Sequence, residues 1–500
     1  MPEKLTLEKL KAHIWKAADI LRGSLDAQEY RQPVMTVLFL KRLNDTFEEN
    51  VERLVKEGQT RKKAEQKFRH KFYVPETARW SILADASSNI GETMDTVCRE
   101  IEEAVPKLRD VLSYLKYNDK KKYPDNKLRQ LIAHFNELSL RNENLEKEDI
   151  FGDAYEYLLE QFADETKKKG GEFFTPREIV KLLVNLTKPK EGMKISDPTC
   201  GSGGMLIVSR RYVQKNGGDV NNLTLEGQEA NYGNVSMCKM NMVLHGVEDF
   251  DIEHGDTLEK PLLLENGALK KYDRVFANYP FSDNWDNSNA ANDSYNRFGY
   301  GIAPAKDKAD FAFILHILSS LNETGQACIV CSQGVLFRSG EEGKIRTNLI
   351  KGIENLAGDI IEAVIALPSN LFWGTGIPAC VLVLNKKKPA KRKDKILFIY
   401  GAKDFEDGKN RDKLREEDIK KIVSAFEKYQ DVDKYCHVAD LSELEENEFN
   451  LNVPRYVDIS EPEEPIDIQE AYDEVKELES KQEELEGKVK ADLKELGIKL

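Results

Sequence analysis

Two short stretches hold the residues of this 500-residue chain whose types and spacing fit chemistry. The first, Asp197-Pro-Thr-Cys-Gly-Ser-Gly-Gly204, follows the run Met193 to Ser196, which predicts a short strand, and precedes Met205-Leu-Ile-Val-Ser209, which can open a helix. Glycines at 201, 203 and 204 let the backbone bend sharply and approach a ligand that a side chain would block. The second, Asn278-Tyr-Pro-Phe281, sets an amide, a fixed proline turn and an aromatic face directly after the apolar run Val275-Phe-Ala277. Open α/β sheets bind ligands in loops at the C-terminal ends of their strands. Together the two stretches describe a nucleoside pocket and a clamp for an amine.

Two carboxylates belong with them. Leu223-Thr-Leu225 leads through Glu226-Gly-Gln to Glu229, so an acid stands at the end of the next expected strand, where it can accept from ribose hydroxyls. Its alternative is a solvated acid at a helix start. Asp256, in His254-Gly-Asp-Thr257, is either a second pocket acid or a helix cap before Leu258.

These motifs resemble the S-adenosylmethionine-dependent DNA adenine-N6 methyltransferases, and the resemblance covers nearly the whole chain. Glu172-Phe-Phe-Thr-Pro-Arg177 stands before the glycine loop, as the family's extra cofactor motif does in members with this motif order. Gly325 to Val330 with Gly334-Val-Leu-Phe337, and Leu367 to Phe372 with Thr375-Gly-Ile-Pro378 and Cys380 to Leu384, are similar to its later strands and loops. Ile14 to Gly23, Leu38 to Leu43, Asn450-Leu-Asn452 and Pro454-Arg-Tyr456 resemble modification subunits of type I restriction-modification systems.

The resemblance implies a cofactor site at Asp197, Gly201, Ser202, Gly203 and Gly204, with Glu229 preferred over Glu226 for the ribose and Asp256 for the adenine amine. Phe174, Thr175 and Pro176 are expected to close over the methionine end, flanked by Glu172, Phe173 and Arg177; the role of Phe173 stays open against a plain core anchor. Adenine's exocyclic amine is a poor nucleophile because its lone pair is delocalised into the ring. Two acceptors on its hydrogens favour a more tetrahedral nitrogen: the side-chain oxygen of Asn278 and the carbonyl of Tyr279. Phe281 would stack on the base once it has left the duplex. Tyr279 stands where the family commonly has proline; a backbone carbonyl can come from any residue, and Pro280 biases Tyr279 towards an extended shape, so the geometry should survive with some lost rigidity.

The elements that must position these residues change in texture along the chain. Up to about residue 150 the spacing is helical, as in Leu7, Leu10, Ile14, Ala18 and Leu21. From 151 to about 460 short β-rich runs (Val275 to Ala277, Ala327 to Val330, Ile360 to Ile365, Cys380 to Leu384) alternate with helical stretches. After Glu461-Pro-Glu-Glu-Pro465, heptad spacing links Ile468, Ala471, Val475, Leu478, Leu485, Val489 and Leu496, broken by Gln482 and Asp492. The expected organisation is an all-helical domain over 1–150, a Rossmann-like α/β methyltransferase core with a mostly parallel sheet over 151–460, and a helix for subunit assembly over 461–500.

Bulk properties add bounds. There is no run of 18 apolar residues and no apolar segment of signal-peptide type at the N-terminus, so a cytoplasmic protein without a membrane partner is expected. Seven scattered cysteines form no framework of regular spacings, which fits a reduced compartment. A net charge of -14 argues against unaided tight nonspecific DNA binding. Cys328-Ile-Val-Cys331 sits in an apolar run and reads as buried thiols, Cys200 as a packing residue, and no metal is expected. Gly343-Lys344 lacks the rest of a phosphate loop, while Lys167-Lys-Lys-Gly-Gly171 and Lys120-Lys-Lys122 are solvated surface or, for the latter, a DNA contact.

By resemblance the partners are double-stranded DNA, a specificity subunit, a restriction subunit and a second modification subunit for each specificity subunit. Two other functions remain open: methylation of protein glutamine or RNA, and a catalytically silent DNA-binding assembly role.

Overall fold

Strand and helix alternate around one nine-stranded sheet in the computed structural model, which describes residues 4–22, 25, 27–147, 150–166, 174–306, 308–373, 375–460 and 468–496. The strands are β1 (Lys194–Asp197), β2 (Thr224–Glu229), β3 (Asp251–His254), β4 (Tyr272–Asn278), β5 (Leu321–Ser332), β6 (Ile361–Ala366), β7 (Ala379–Asn385), β8 (Lys395–Tyr400) and β9 (Cys436–Asp440). They lie in the order β9-β8-β6-β7-β5-β4-β1-β2-β3. The run from β3 to β5 is parallel throughout; β7 enters antiparallel between β5 and β6, and β9 pairs antiparallel with β8 at the edge. β6 and β7 are buried along their full length, which a strand covered on both faces requires. The one acid there, Glu362, is matched by Asn385 Nδ2 and Arg392 Nη1, each at 2.9 Å.

Around β1 the strand order reverses. Its neighbours are β2 on one side and β4 on the other, so a crevice opens beyond the C-terminal ends of β1 and β4. Both motifs of the sequence lie at that edge.

The first part of the chain is helical: α1 (Leu7–Leu21), α2 (Ala27–Lys56), α3 (Ile90–Ala104), α4 (Asp125–Asn136) and α5 (Ile150–Thr166). Thr6 Oγ1 caps α1 by accepting from the Lys9 amide, and α1 buries Leu10, Ile14, Ala17, Ala18 and Leu21 on one face. The boundary expected at 150 falls at the start of α5, and Phe151, Tyr155, Leu158 and Phe162 of that helix belong to the same apolar core as α1 and α2. Covering the sheet are α6 (Arg177–Thr187), α7 (Gly204–Lys215), α8 (Tyr232–Leu244), α9 (Asp310–Ser320), α10 (Glu341–Lys351) and α11 (Glu416–Lys428). Met237 and Met240 of α8 reach into the N-terminal core, so the two regions share packing, and residues up to Val457 make one compact unit.

The residues from Asp458 form a second unit, described as the single helix α12 (Ile468–Glu495). Its stripe is exposed: Val475, Leu478, Leu485 and Val489 each show half or more of their surface to solvent. No described helix is long and apolar enough to cross a membrane.

At the α1–α4 contact, ring atoms of His13 and His134 and a carboxylate oxygen of Glu137 lie within 4.8 Å of one another. The two rings stack at 3.8 Å with planes 9° apart, and each Nε2 meets the other's main-chain carbonyl, at 3.0 and 2.8 Å. An ion bound by both imidazoles would have to lie in both ring planes, and stacked parallel planes share no such point. The pair is packing.

His316 on α9 is buried, and that burial, helped by the Arg297 guanidinium beside it, pushes its pKa down to about 3; Asp293 pulls weakly the other way. As pH falls through 6.5 the unfolded chain takes up the proton first, so stability declines from there towards about pH 3. Between about pH 7.5 and about pH 5 the change in unfolding free energy, read by denaturant melts, should be about 2 kcal/mol less favourable for the parental chain than for a His316→Gln variant, a difference that cancels the opposing contribution of other buried groups.

Candidate active site

Asp197 ends β1 with its side chain buried, and Oδ1 accepts from the Thr199 amide at 3.0 Å. Burial pushes its carboxyl up to about 7, with that amide acting in the opposite direction. The loop then turns back on itself: the Cys200 amide donates to Gln228 O at 3.0 Å and the Gly203 amide to Cys200 O at 2.7 Å. Gly201 and Gly203 have φ of 51° and 81°, the left-handed region where glycine is favoured.

The glycines divide the work that the sequence alone assigned to all of them. A Cβ on Gly203 would meet Cys238 Sγ at 2.7 Å, so this position is glycine because the protein packs against it. At Gly204, the first residue of α7, a Cβ would meet no described atom within 4 Å. Gly204 borders the crevice, and no described side chain caps the first turn of α7, whose amides face the cleft as donors for an anionic or polar group.

Glu229, at the end of β2, is tied to the same loop. Its Oε2 accepts from the Gly201 amide at 2.9 Å, and Oε1 accepts from the Asn231 amide at 2.7 Å and from Asn234 Nδ2 at 3.3 Å. Burial raises its pKa, opposed by those donors. Glu226 is spent inside the fold on Lys270 and Tyr272. Asp256 Oδ1 accepts from the amides of Leu258 and Glu259, at 2.7 and 3.1 Å, which is the capping alternative, though over a turn and not a helix.

On the opposite wall Asn278 ends β4, and its Nδ2 donates to Thr175 Oγ1 at 3.0 Å. That bond brings together the two motifs expected to hold cofactor and target. Pro176 is the N-cap of α6 and Arg177 its first residue, with Nη2 standing 2.9 Å from Asp153 Oδ1 and 2.6 Å from Glu156 Oε2. Phe174 is buried edge-on to Trp373 at 5.5 Å. Glu172 and Phe173 lie outside the described residues, as does the segment 167–171. Tyr279 is buried and stacks on Phe313 at 5.0 Å with planes 6° apart; Phe281, half-buried, meets Tyr279 and Phe372 edge-on at 6.0 and 6.4 Å.

The cleft is lined by Thr175, Arg177, Asp197, Gly201, Ser202, Gly204 and Asn278. Two further lining residues escaped the sequence reading. Asn241 of α8 donates Nδ2 to Ser202 O at 2.9 Å and leaves Oδ1 buried without a hydrogen-bond partner among the described residues. Glu156 of α5 lies in the cleft wall, almost wholly buried. Nothing in their spacing marks them, since each is one of several polar residues in its helix. Of the basic cluster, Lys120 stands 3.5 Å from Asp125 and Lys122 3.0 Å from Glu29.

Comparison with known proteins decides the family. Residues 146–465 match the N-6 DNA Methylase family, and residues 10–135 match the HsdM N-terminal domain. The chain belongs to the N-6 DNA methylase family. It is 33% identical to the MjaVIII methylase subunit of a type I restriction enzyme of Methanocaldococcus jannaschii, over 99% of this chain and 86% of that one. The MpnII methylase subunit of Mycoplasma pneumoniae is 29% identical over 100% and 98% of the two chains. The structure of a type I restriction-modification methyltransferase subunit from Streptococcus thermophilus superposes with a TM-score of 0.79 at 30% identity, covering 91% of this chain and 100% of that one.

This N-6 DNA methylase fits S-adenosylmethionine, the methyl donor of its family. The ligand's polar groups need donors and acceptors; the α7 amides offer the first and Asn241 Oδ1, still unpartnered in the cleft wall, the second. Gly204→Val should therefore leave the fold intact and weaken S-adenosylmethionine binding by about tenfold or more, whereas Gly203→Ala should cost about 1 to 3 kcal/mol of stability through overpacking and left-handed strain. Equilibrium dialysis and denaturant melts separate the two; undiminished binding by Gly204→Val would take this loop out of the pocket.

Proposed function

We propose that the chain transfers the methyl group of S-adenosylmethionine to N6 of an adenine flipped out of double-stranded DNA, as the modification subunit of a type I restriction-modification complex. The Asn278–Thr175 hydrogen bond carries this reading. With Nδ2 engaged by Thr175, the amide is oriented so that Oδ1 is the atom left to accept from the target amine. Tyr279 O supplies the second acceptor and Phe281 the stacking face. Bound S-adenosylmethionine supplies an electrophilic sulfonium methyl. The chain's contribution is positioning and alignment of charge, with no covalent enzyme intermediate.

We assign Asp197, Gly201, Ser202 and Gly204 to the cofactor's backbone cradle, with Gly203 shaping it from behind. Thr175 and Pro176 line the methionine end with Phe174 behind them, Glu229 takes the ribose hydroxyls and Asp256 the adenine amine. Arg177 anchors the cofactor-side helix to α5. Asn241 Oδ1 is the acceptor for the cofactor's ammonium group.

Assembly follows from charge and from α12. A net charge of -14 leaves phosphate contact largely to a partner. The exposed stripe of α12, interrupted by Gln482 and Asp492, suits one particular partner helix better than strong self-association. We assign that partner to the specificity subunit, in a cytoplasmic complex with two modification subunits and a restriction subunit.

Asn278→Ala removes one acceptor from the amine and leaves the glycine loop and Phe281 in place. Single-turnover methylation of unmethylated DNA by the assembled complex should fall by about 100-fold or more, while cofactor affinity falls far less, through loss of the Thr175 bond alone. Parental activity would mean that the chemistry does not run through this loop, and labelled-methyl transfer to RNA or protein in parallel reactions would redirect the substrate. Deleting residues 466–500 should weaken the complex with the specificity subunit on size-exclusion chromatography and spare cofactor binding; an unchanged elution profile removes α12 from the interface.

A further inference from the structure

Directly behind the Asn278–Phe281 loop, two carboxylates that are completely buried, Asp310 and Glu342, share one guanidinium. Arg338 Nη1 donates to Asp310 Oδ2 at 3.1 Å and to Glu342 Oε1 at 3.3 Å. Its Nη2 donates to Ser282 Oγ at 3.0 Å, one residue beyond Phe281. Lys308, half-buried, stands 3.6 Å from the second oxygen of Glu342. Buried ion pairs are weak devices for stability, because desolvating the charges offsets most of their attraction. An arrangement with two buried acids is better explained by what it holds still.

What it holds is a residue in an unfavourable backbone conformation. Ser282 has φ of 54°, in the left-handed region that a non-glycine residue occupies only where its surroundings over-determine it. Arg338 supplies that constraint and is itself immobile. Its main-chain oxygen accepts from Arg346 Nη1 at 2.9 Å, and a Cβ on Gly334 would lie 2.4 Å from its Nε, so the guanidinium fills space that only glycine leaves. Asp310 takes a further bond from Ser332 Oγ at 3.2 Å. One residue on, Asp283 O accepts from the Ala309 amide at 3.0 Å, so both ties of the loop run to the N-terminal end of α9.

We propose that Arg338, braced by Asp310 and Glu342, is the positioning residue of the base clamp: through Ser282 it fixes the loop that carries Phe281 and the Tyr279 carbonyl. The inference rests on the reading of that loop as the site of methyl transfer. Displacing a reacting group by about 1 Å costs on the order of 100-fold in rate, so loss of one remote tie is expected to be felt in turnover before it is felt in binding. A direct grip of Arg338 on a DNA phosphate is the competing role, and it predicts the opposite split.

The test compares Ser282→Ala, Ser282→Asn, Arg338→Lys and the Ser282→Ala/Arg338→Lys double variant in the complex with the specificity subunit. The DNA is a duplex carrying the site that the parental complex methylates, with 2-aminopurine at the target adenine for the fluorescence arm. Ser282→Ala leaves both carboxylates paired, so it avoids the unfolding that loss of Arg338 would risk. It should lower the single-turnover rate by about tenfold, leave the dissociation constants of DNA and S-adenosylmethionine unchanged, and alter the 2-aminopurine lifetime as the base loses its fixed stacking partner. The double variant should be no slower than the slower single variant, because both act through one bond. Ser282→Asn keeps an acceptor and tolerates a positive φ, so it should restore most of the rate. Parental rate and lifetime in Ser282→Ala, or weakened DNA binding at a parental rate in Arg338→Lys, would overturn the proposal. Asn278→Ala in the same assay separates the two claims: if it is inactive while Ser282→Ala is normal, only the role of Arg338 falls.

Discussion

Parallel pairing of β1 with both β2 and β4 is the constraint on which the rest of this molecule depends. Ser196 pairs with Val275 and Asp197 with Gly227, so three strands deliver their C-terminal ends to one edge of the sheet. Asp197, Glu229 and Asn278 are therefore neighbours although 81 residues separate the first from the last. Side chains could not meet there if any of the three strands ran the other way. The glycine loop is then held by main-chain and side-chain bonds from β2, above all the Gly201 amide on Glu229, and by the packing of Cys200 and Gly203 against Cys238 of α8.

The helical region reaches the same edge through charge. Asp153 of α5 lies 2.9 Å from both Arg177 of α6 and Arg211 of α7, and Glu156 sits between Arg177 and His245. A Cβ on Gly152 would stand 2.2 Å from the His245 ring, so glycine is required for α5 to approach. Helices from both regions thus meet in one cluster at the wall of the cleft. The shared apolar packing of Met237 and Met240 points the same way: the helical region is part of the site's scaffold, and a boundary at residue 150 describes the chain better than it describes the core.

Part of the fold was legible in the sequence because several strands are short apolar runs: β1, β2, β6 and β7 lie within a residue or two of the expected positions, β4 and β5 begin three and six residues earlier, and β3, β8 and β9 were not anticipated. The two motifs at 197–204 and 278–281 were legible for the same reason, being local. What could not be read was any relation across the chain. Asn241 and Glu156 enter the cleft from helices whose own patterns are those of ordinary buried faces. The Arg338 network joins residues 282, 310, 338 and 342, each unremarked in its own segment. Gly203 shows the converse: its neighbours in sequence suggested close approach of a ligand, but its neighbour in space is Cys238.

Tyr279 shows how the fold compensates for a local change. Proline at this position would restrict φ covalently, and its replacement implies a looser turn. The ring instead lies buried against Phe313 and meets the edge of Phe281, with its hydroxyl against the Cys331 thiol. Aromatic burial of this kind is a strong constraint, since truncating a buried ring commonly destabilises by about 3 to 5 kcal/mol. The rigidity that proline would give through its own ring is thus supplied here by packing, which fixes the peptide from its side chain. Tyr279 and Ser282 hold the two ends of one four-residue loop, the first by an aromatic stack and the second by a guanidinium, and between them lie the groups proposed above to meet the base.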